Sequence, residues 1–272
     1  MAELAVDEQI EDDIEEVFEQ PSASSDFTVI LNDRYHIDGG QPLVFLDSPN
    51  ALAYEVSDPR TPDMKLFALV CDPGLPVRVD AMMKLKQVSP NGLLPLADWG
   101  VIDWPLTGQK TTAVIYERPM GGRLTDVLSS GASRISEYDI ITRVLKPALS
   151  GIGNLAEHEI THRAIRPDNL FFMDEKFEDL VLGECVTAPH GYDQPEIYET
   201  IDRSTASQIG RGKGSSLDDM YALGITIMFM MLGHNPAQHM NTIELLTEKI
   251  DRGTYAAISQ SSRVPLPVIE LL

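Results

Sequence analysis

The chain has 272 residues, 43% hydrophobic and 23% charged, which is typical of a soluble globular protein with one large domain or two modest lobes. Its formal net charge of −21 argues against binding to nucleic acid or to an anionic membrane surface, because both need a basic patch. The most apolar run, residues 221–233, is too short to span a bilayer. These properties predict a cytoplasmic protein with protein partners and without a membrane segment.

Residues 1–26 differ in composition from the rest of the chain. The first 20 residues contain nine acidic side chains and no basic one, and Ile10, Ile14, Val17 and Phe18 recur at helical spacing. The charge predicts a solvated, disordered tail followed by a linker. The alternative is an acidic amphipathic helix that docks on a partner.

The sequence pattern of residues 27–117 predicts a small β-rich lobe. Pro and Asn in the turn at 47–50, between two apolar runs, predict a β-hairpin. The predicted elements are, in order, strands at 42–46, 51–56 and 64–71, a helix at 77–88, and two further strands before residue 117.

Residues 118–272 are predicted to form a mainly helical lobe. A short helix at 121–131 precedes a long amphipathic helix at 136–160, whose apolar residues recur every three or four positions. The sequence ends within an apolar run at 265–272, and an exposed apolar terminus is unfavourable. We therefore expect an incomplete C-terminal lobe, truncated or completed by a partner.

Four motifs stand in order along this half of the chain. His162, Arg163 and Ala164 are followed by four residues and then Asn169, which matches the frame H-R-D, four residues, Asn. The other three motifs are IYERPMGGRLTDVL at 115–128, LVLGEC at 180–185 and DDMYALG at 218–224. Together they resemble the bacterial serine/threonine protein-kinase-like family over residues 27–272. The resemblance implies an α+β fold with two lobes.

The resemblance also implies roles for individual residues. Arg166 takes the position of the family's phosphate-contacting lysine, and Asp219 that of the structural aspartate that braces the catalytic loop. Tyr116 takes the gatekeeper position, and Glu117 and Arg118 lie in the hinge that would contact a nucleotide.

Three departures from the family remove catalytic chemistry. Ala164 replaces the aspartate that accepts the substrate's proton, so the surrounding loop becomes merely structural. Aligning the third strand with V-A-I-K places Val70 on the cleft side at the phosphate-binding lysine position. Lys84 and Lys86 are candidate substitutes; the alternative, which the sequence favours, is that both are solvated surface lysines. The turn at 47–50 lacks the glycines that cradle phosphates.

Asn169 and Glu184 form a candidate pair of metal ligands. Glu184 takes the position of the aspartate in D-F-G, and its carboxylate is an oxygen ligand suited to Mg²⁺. With Asn169 it would hold one cation; the alternative is a carboxylate that only forms hydrogen bonds. The sequence therefore predicts a pseudokinase that acts as a signalling scaffold or allosteric regulator through protein contacts. The alternative is a noncanonical ATP-dependent kinase or nucleotidyl transferase that uses Asn169 and Glu184 on Mg²⁺ or Mn²⁺ with ATP.

Overall fold

The structure is a computed structural model that describes residues 27–129 and 136–259. The predictions for the acidic tail at 1–26 and for the apolar run at 265–272 lie outside these residues. Within the described part of the chain, no helix combines the length and apolar composition needed to cross a membrane.

The N-terminal part is a six-stranded antiparallel sheet with the strand order β1-β2-β3-β4-β6-β5. One helix, α1 (Val79–Val88), connects β4 to β5 and packs against β5. We call residues 27–117 the N-lobe. Its strands are β1 (Thr28–Leu31), β2 (Tyr35–Pro42), β3 (Ala51–Ser57), β4 (Leu66–Cys71), β5 (Leu96–Trp104) and β6 (Gln109–Glu117).

The hairpin prediction is right for one strand and wrong for the other. Residues 51–57 form β3, but β3 pairs with residues of β2, and residues 44–46 form a 3₁₀ turn instead of a strand. The side chain of Leu46 turns into the core, and the carboxylate of Asp47 accepts the N–H of Ala53 at 2.7 Å. These contacts close the chain into a tight turn that cannot remain extended.

The side chains of β4 alternate between two cores. Those that face the larger core, which continues into the C-terminal part, are Phe67, Leu69 and Cys71. Those on the opposite face of the sheet, in a smaller core, are Leu66, Ala68 and Val70. Val70 therefore points away from the cleft between the two parts, and the sequence assignment is corrected by one residue: Cys71 occupies the inward position.

The C-terminal part, which we call the C-lobe, is mainly helical and carries a small three-stranded sheet. The predicted long helix is interrupted by a π-helical segment at Ile140–Leu145. The strands are β7 (Gly122–Arg123), β8 (Leu170–Phe172) and β9 (Leu180–Leu182). The helices are α2 (Leu124–Ser129), α3 (Glu137–Asp139), α4 (Lys146–Glu157), α5 (Ile201–Ser204), α6 (Ser216–Leu232), α7 (Thr242–Arg252) and α8 (Thr254–Ile258).

Helix α6 is the centre of the C-lobe. It is apolar on most sides and is buried over most of its length, as expected for a helix surrounded by other elements. Ser215 and Asp218 form a capping box at its start, and Gly233 ends it in the left-handed conformation with φ 74°. This fixed helix presents Asp219 to the loop at 160–169.

Candidate functional site

Asp219 fixes the loop at 160–169 through hydrogen bonds to its backbone. Its carboxylate accepts the backbone N–H of His162 at 2.8 Å and that of Arg163 at 2.7 Å. Burial raises the pKa of Asp219 to about 6, although the two N–H donors and the charge of Arg163 lower it. Asp219 thus fixes the backbone conformation of the loop and takes no part in solvent-exposed chemistry.

The buried imidazole of His162 is part of the same support. Its Nε2 lies 3.1 Å from the carbonyl oxygen of Gly183, and its Nδ1 accepts the N–H of Ala164 at 3.3 Å. Burial lowers the pKa of His162 to about 3, so the ring is neutral with its proton on Nε2. Ala164 itself carries only a methyl group and offers no acceptor for a proton.

The two arginines of the loop are already paired with carboxylates. Arg163 Nη2 lies 2.7 Å from Glu199 Oε2, and both side chains are buried. Arg166 Nε lies 2.8 Å from Asp168 Oδ1 and is also buried. Glu199 does not stand out in the sequence, because its partner lies 36 residues away.

The carboxylate of Glu184 is saturated with hydrogen bonds. Oε1 accepts the hydroxyls of Ser48 at 2.6 Å and Thr187 at 2.8 Å, while Oε2 accepts the N–H groups of Val186 at 3.0 Å and Thr187 at 3.1 Å. A carboxylate has about four lone-pair sites, and all four are used here. Ser48 belongs to the N-lobe, so Glu184 joins the two lobes.

Asn169 contacts Glu184 through the backbone only. Its Nδ2 donates to the carbonyl oxygens of Ala164 and Glu184, each at 2.8 Å. Gly183 makes this approach possible, because a Cβ at that position would lie 2.2 Å from Asn169 Oδ1. The structure thus brings Asn169 and Glu184 together, but the Glu184 carboxylate turns toward Ser48.

The residues present do not fit a bound Mg²⁺. The carboxylate of Glu184 would have to give up its hydrogen bonds before it could bind a cation. Among the residues that the structure describes, no group of three or more His, Cys, Asp or Glu side chains is arranged to hold a metal ion.

The N-lobe turn at 43–50 closes the cleft. Arg123, at the start of the C-lobe, donates from Nε to the carbonyl oxygen of Phe45 at 2.9 Å and from its other nitrogens to those of Asp47 and Asp168. Asn50 donates to the carboxylate of Asp193 across the same gap. We call these contacts, together with those between Ser48, Thr187 and Glu184, the cleft clasp.

The cavity left behind the cleft clasp is very small. Its volume is about 10 Å³, at the lower limit for one water molecule and far below the 300–1,000 Å³ of typical ligand pockets. The residues that line it include Leu46, Ser48, Leu69, Arg166, Asn169 and Glu184. The cleft is thus filled by the protein's own side chains.

Cys71, one of the three inward residues of β4, carries a thiol and not the cationic side chain that phosphate binding needs. Burial, followed by the nearby charge of Glu184, raises the pKa of Cys71, so the thiol is neutral. The two candidate substitutes are engaged elsewhere. Lys84 Nζ donates to the carbonyl oxygen of His158 at 3.0 Å, and Lys86 pairs with Asp98 on β5.

The segment after β6, predicted to be the hinge, has no free backbone donor. The N–H of Glu117 donates to Pro95 O at 3.0 Å, that of Arg118 donates to Lys65 O at 2.9 Å, and Pro119 has no N–H. Tyr116 is buried and stacks on Phe67 with ring centroids 5.8 Å apart. A nucleobase would find no N–H group at these positions.

Helix α1 is fixed to the C-lobe by Arg78. Its guanidinium donates to the carbonyl oxygens of Thr161 at 2.6 Å, His162 at 2.9 Å and Cys185 at 2.5 Å. The backbone N–H of Arg78 also donates to Val186 O at 2.9 Å. The start of α1 is therefore tied to both segments that flank the cleft.

The sequence of this chain is similar to those of protein kinases. No protein-family model matches the chain. It is 26% identical over 147 residues to a calcium and calcium/calmodulin-dependent serine/threonine-protein kinase of Oryza sativa subsp. japonica, covering 53% of this chain and 28% of the relative. It is 23% identical over 135 residues to the serine/threonine-protein kinase PknL of Mycobacterium tuberculosis, covering 48% and 34%. For the calcium/calmodulin-dependent protein kinase cmkB of Emericella nidulans, the identity is 27% over 182 residues, covering 59% and 40%.

The fold agrees with this sequence similarity. The crystal structure of Rad53 1–466 in complex with AMP-PNP superposes with a TM-score of 0.59 at 15% sequence identity, covering 83% of this chain and 57% of that one. The predicted α+β, protein-kinase-like fold is thereby confirmed, and the chain is a distant relative of serine/threonine protein kinases. It spans between 28% and 40% of the length of the three relatives named above.

Proposed function

We propose that this protein-kinase-like domain is a pseudokinase that acts as a signalling scaffold or allosteric regulator through protein contacts. The observation that carries the proposal is the carboxylate of Glu184. At the position where the resemblance places a metal ligand, it accepts four hydrogen bonds, one of them from Ser48 in the opposite lobe. A group that clasps the lobes together is not free to organise a nucleotide.

Three other features support the same conclusion. Ala164 cannot accept a proton from a substrate hydroxyl. Cys71 supplies a neutral thiol where phosphoryl transfer needs a positive charge. Arg123 binds the backbone of the 43–50 turn and so keeps that turn inside the cleft. Each feature removes a different requirement, so no single side-chain rearrangement restores them all.

The alternative, an ATP-dependent kinase or nucleotidyl transferase, requires the same residues to form different contacts. Asn169 and Glu184 would have to hold Mg²⁺ or Mn²⁺, and the turn at 43–50 would have to leave the cleft. Glu184 would then lose its bonds to Ser48 and Thr187 before gaining any to the metal. Hydrogen bonds to charged groups contribute about 1.5–3 kcal/mol each, so this opening is costly.

The test is a thermal-shift measurement on the full chain with ATP or ADP at about 5 mM, each with Mg²⁺ or Mn²⁺. A ligand with a Kd of 1 mM would stabilise the protein by about 1 kcal/mol, which corresponds to a rise in Tm of about 2–4 °C. We expect no shift with any of the four combinations.

The matched variant is Glu184→Ala. A metal-dependent shift in the wild-type protein that this variant abolishes would overturn the proposal in favour of the alternative. Transfer of labelled phosphate or nucleotide to any protein, lost in the same variant, would do so as well.

A further inference from the structure

An open groove of about 730 Å³ lies along the first turns of α1 and shares no lining residue with the cleft cavity. Its floor is apolar and includes Val77, Val79, Met83 and Ile160. Val79 and Met83 are 40% and 46% exposed, although they lie one turn apart on a helix whose opposite face is buried. The groove is thus an apolar strip that the described residues leave uncovered.

Charged side chains of both signs line this α1 groove, in a chain whose net charge is strongly negative. Its cations are Lys84, Lys213 and the buried Arg78, whose Nε has no hydrogen-bond partner, and the neutral His190 lies beside them. Burial, together with the charges of Arg78, Arg163 and Lys213, lowers the pKa of His190 to about 4. Two carboxylates, Asp80 and Glu159, also line the groove, and Glu159 lies 3.8 Å from Lys84. The end of the groove near His190 favours an anionic occupant.

The chain itself contains a segment of matching chemistry outside the described residues. Residues 1–20 carry nine acidic side chains and no basic one. Ile10, Ile14, Val17 and Phe18 follow the spacing i, i+4, i+7 and i+8, which is the anchor pattern of helices that bind apolar grooves.

We propose that residues 8–19 dock in cis on the α1 groove as a helix, with their apolar stripe on Val79 and Met83 and their carboxylates toward Lys84 and Lys213. Chain geometry permits this. Phe27 packs on Trp104 at the end of β5, with ring centroids 5.1 Å apart, and Asp98 on the same strand contacts Lys86 of α1.

The docking requires an almost fully extended connection. Trp104 and Asp98 are six residues apart on β5, which corresponds to about 20 Å at the rise of a β-strand. The three helical residues from Lys86 back to Met83 add about 4.5 Å, which makes the path to the groove about 25 Å. Residues 19–26 reach about 26 Å when extended. The docked segment would cover α1 beside its attachment to the 160–169 loop. This arrangement does not depend on the pseudokinase proposal, because the groove and the cleft cavity are separate.

Photo-crosslinking of the full chain tests the docking. With p-benzoylphenylalanine at position 18, we expect crosslinks within one molecule to peptides that contain Val79 and Met83, mapped by mass spectrometry. The double variant Glu11→Lys, Glu15→Lys, which leaves the described residues unchanged, should lower the yield about five-fold at low salt. The variant Lys84→Glu, Lys213→Glu should lower it equally, and combining the two pairs should restore it.

The matched control is Lys110→Glu, Lys176→Glu, two exposed lysines outside the groove, and it should leave the yield unchanged. Crosslinks to other surfaces would overturn the proposal. So would products that join two copies only, or a yield that none of the charge reversals changes.

Discussion

Asp219 and Glu184 are both buried carboxylates that accept backbone N–H groups, but they join different parts of the molecule. Asp219 accepts two donors from the 160–169 loop, so its effect stays within the C-lobe. Glu184 accepts three donors from its own segment and one from Ser48 in the N-lobe, so its effect crosses the cleft. The 160–169 loop is therefore fixed by a contact within the C-lobe, whereas the cleft beside it is closed by contacts between the lobes.

The largest effect should come from removing the support inside the C-lobe. Asp219→Ala leaves two buried N–H groups without acceptors, which should lower the free energy of unfolding by about 4 kcal/mol, measured by urea denaturation at pH 7.5. The matched control, Asp251→Ala at an exposed position of α7, should change it by less than about 0.5 kcal/mol. A loss below about 1 kcal/mol for Asp219→Ala would show that the loop is supported by other contacts.

The buried imidazole of His162 should make the free energy of unfolding depend on pH. His162 has a folded-state pKa of about 3 against an ordinary value of 6.5, so the unfolded chain binds more protons between these values. Its stabilising contribution is complete above pH 6.5 and declines as the pH falls toward 3. Between pH 6.5 and 4, the wild-type protein should lose about 3 kcal/mol more stability than His162→Gln, measured by urea denaturation at each pH. Equal losses would contradict a buried neutral imidazole.

The smallest of the three effects should come from the cleft clasp. Ser48→Ala removes one hydrogen bond to the Glu184 carboxylate and should cost about 1.5 kcal/mol. In a double-mutant cycle with Glu184→Gln, the two substitutions should couple by about 1 kcal/mol. Ser57→Ala, at an exposed position of β3, provides the control and should not couple with Glu184→Gln. Additive losses for Ser48→Ala would mean that the contact does not hold the lobes together.

The sequence predicted the elements better than the contacts between them. Motif order identified the fold, periodicity located α1, and the apolar run at 221–233 coincides with the buried centre of α6. The strand β4 was misassigned by one residue because both of its faces are buried and apolar, so alternation gives no signal of which side faces the cleft. The bond between Ser48 and Glu184 spans 136 residues, and no local pattern reports a contact of that range.

The candidate site was only partly predictable for the same reason. Asn169, Glu184 and Asp219 could be located from motif spacing. The state of Glu184 could not, because it depends on the turn at 43–50, which was predicted as a strand and a plain hairpin. Arg123 lay within a quoted motif but has no distinctive spacing from the carbonyl groups that it binds.

Under the pseudokinase proposal, the contacts of Arg123 set the order of steps by which kinase activity could be built into this chain. Placing an aspartate at position 164 and a lysine at position 71 would return two functional groups, but it would not return the room for a substrate. The guanidinium of Arg123 binds two carbonyls of the 43–50 turn and one of the 160–169 loop, and so keeps the turn over the cleft. Reactivation would have to begin with the length and composition of a surface turn before any residue that performs chemistry.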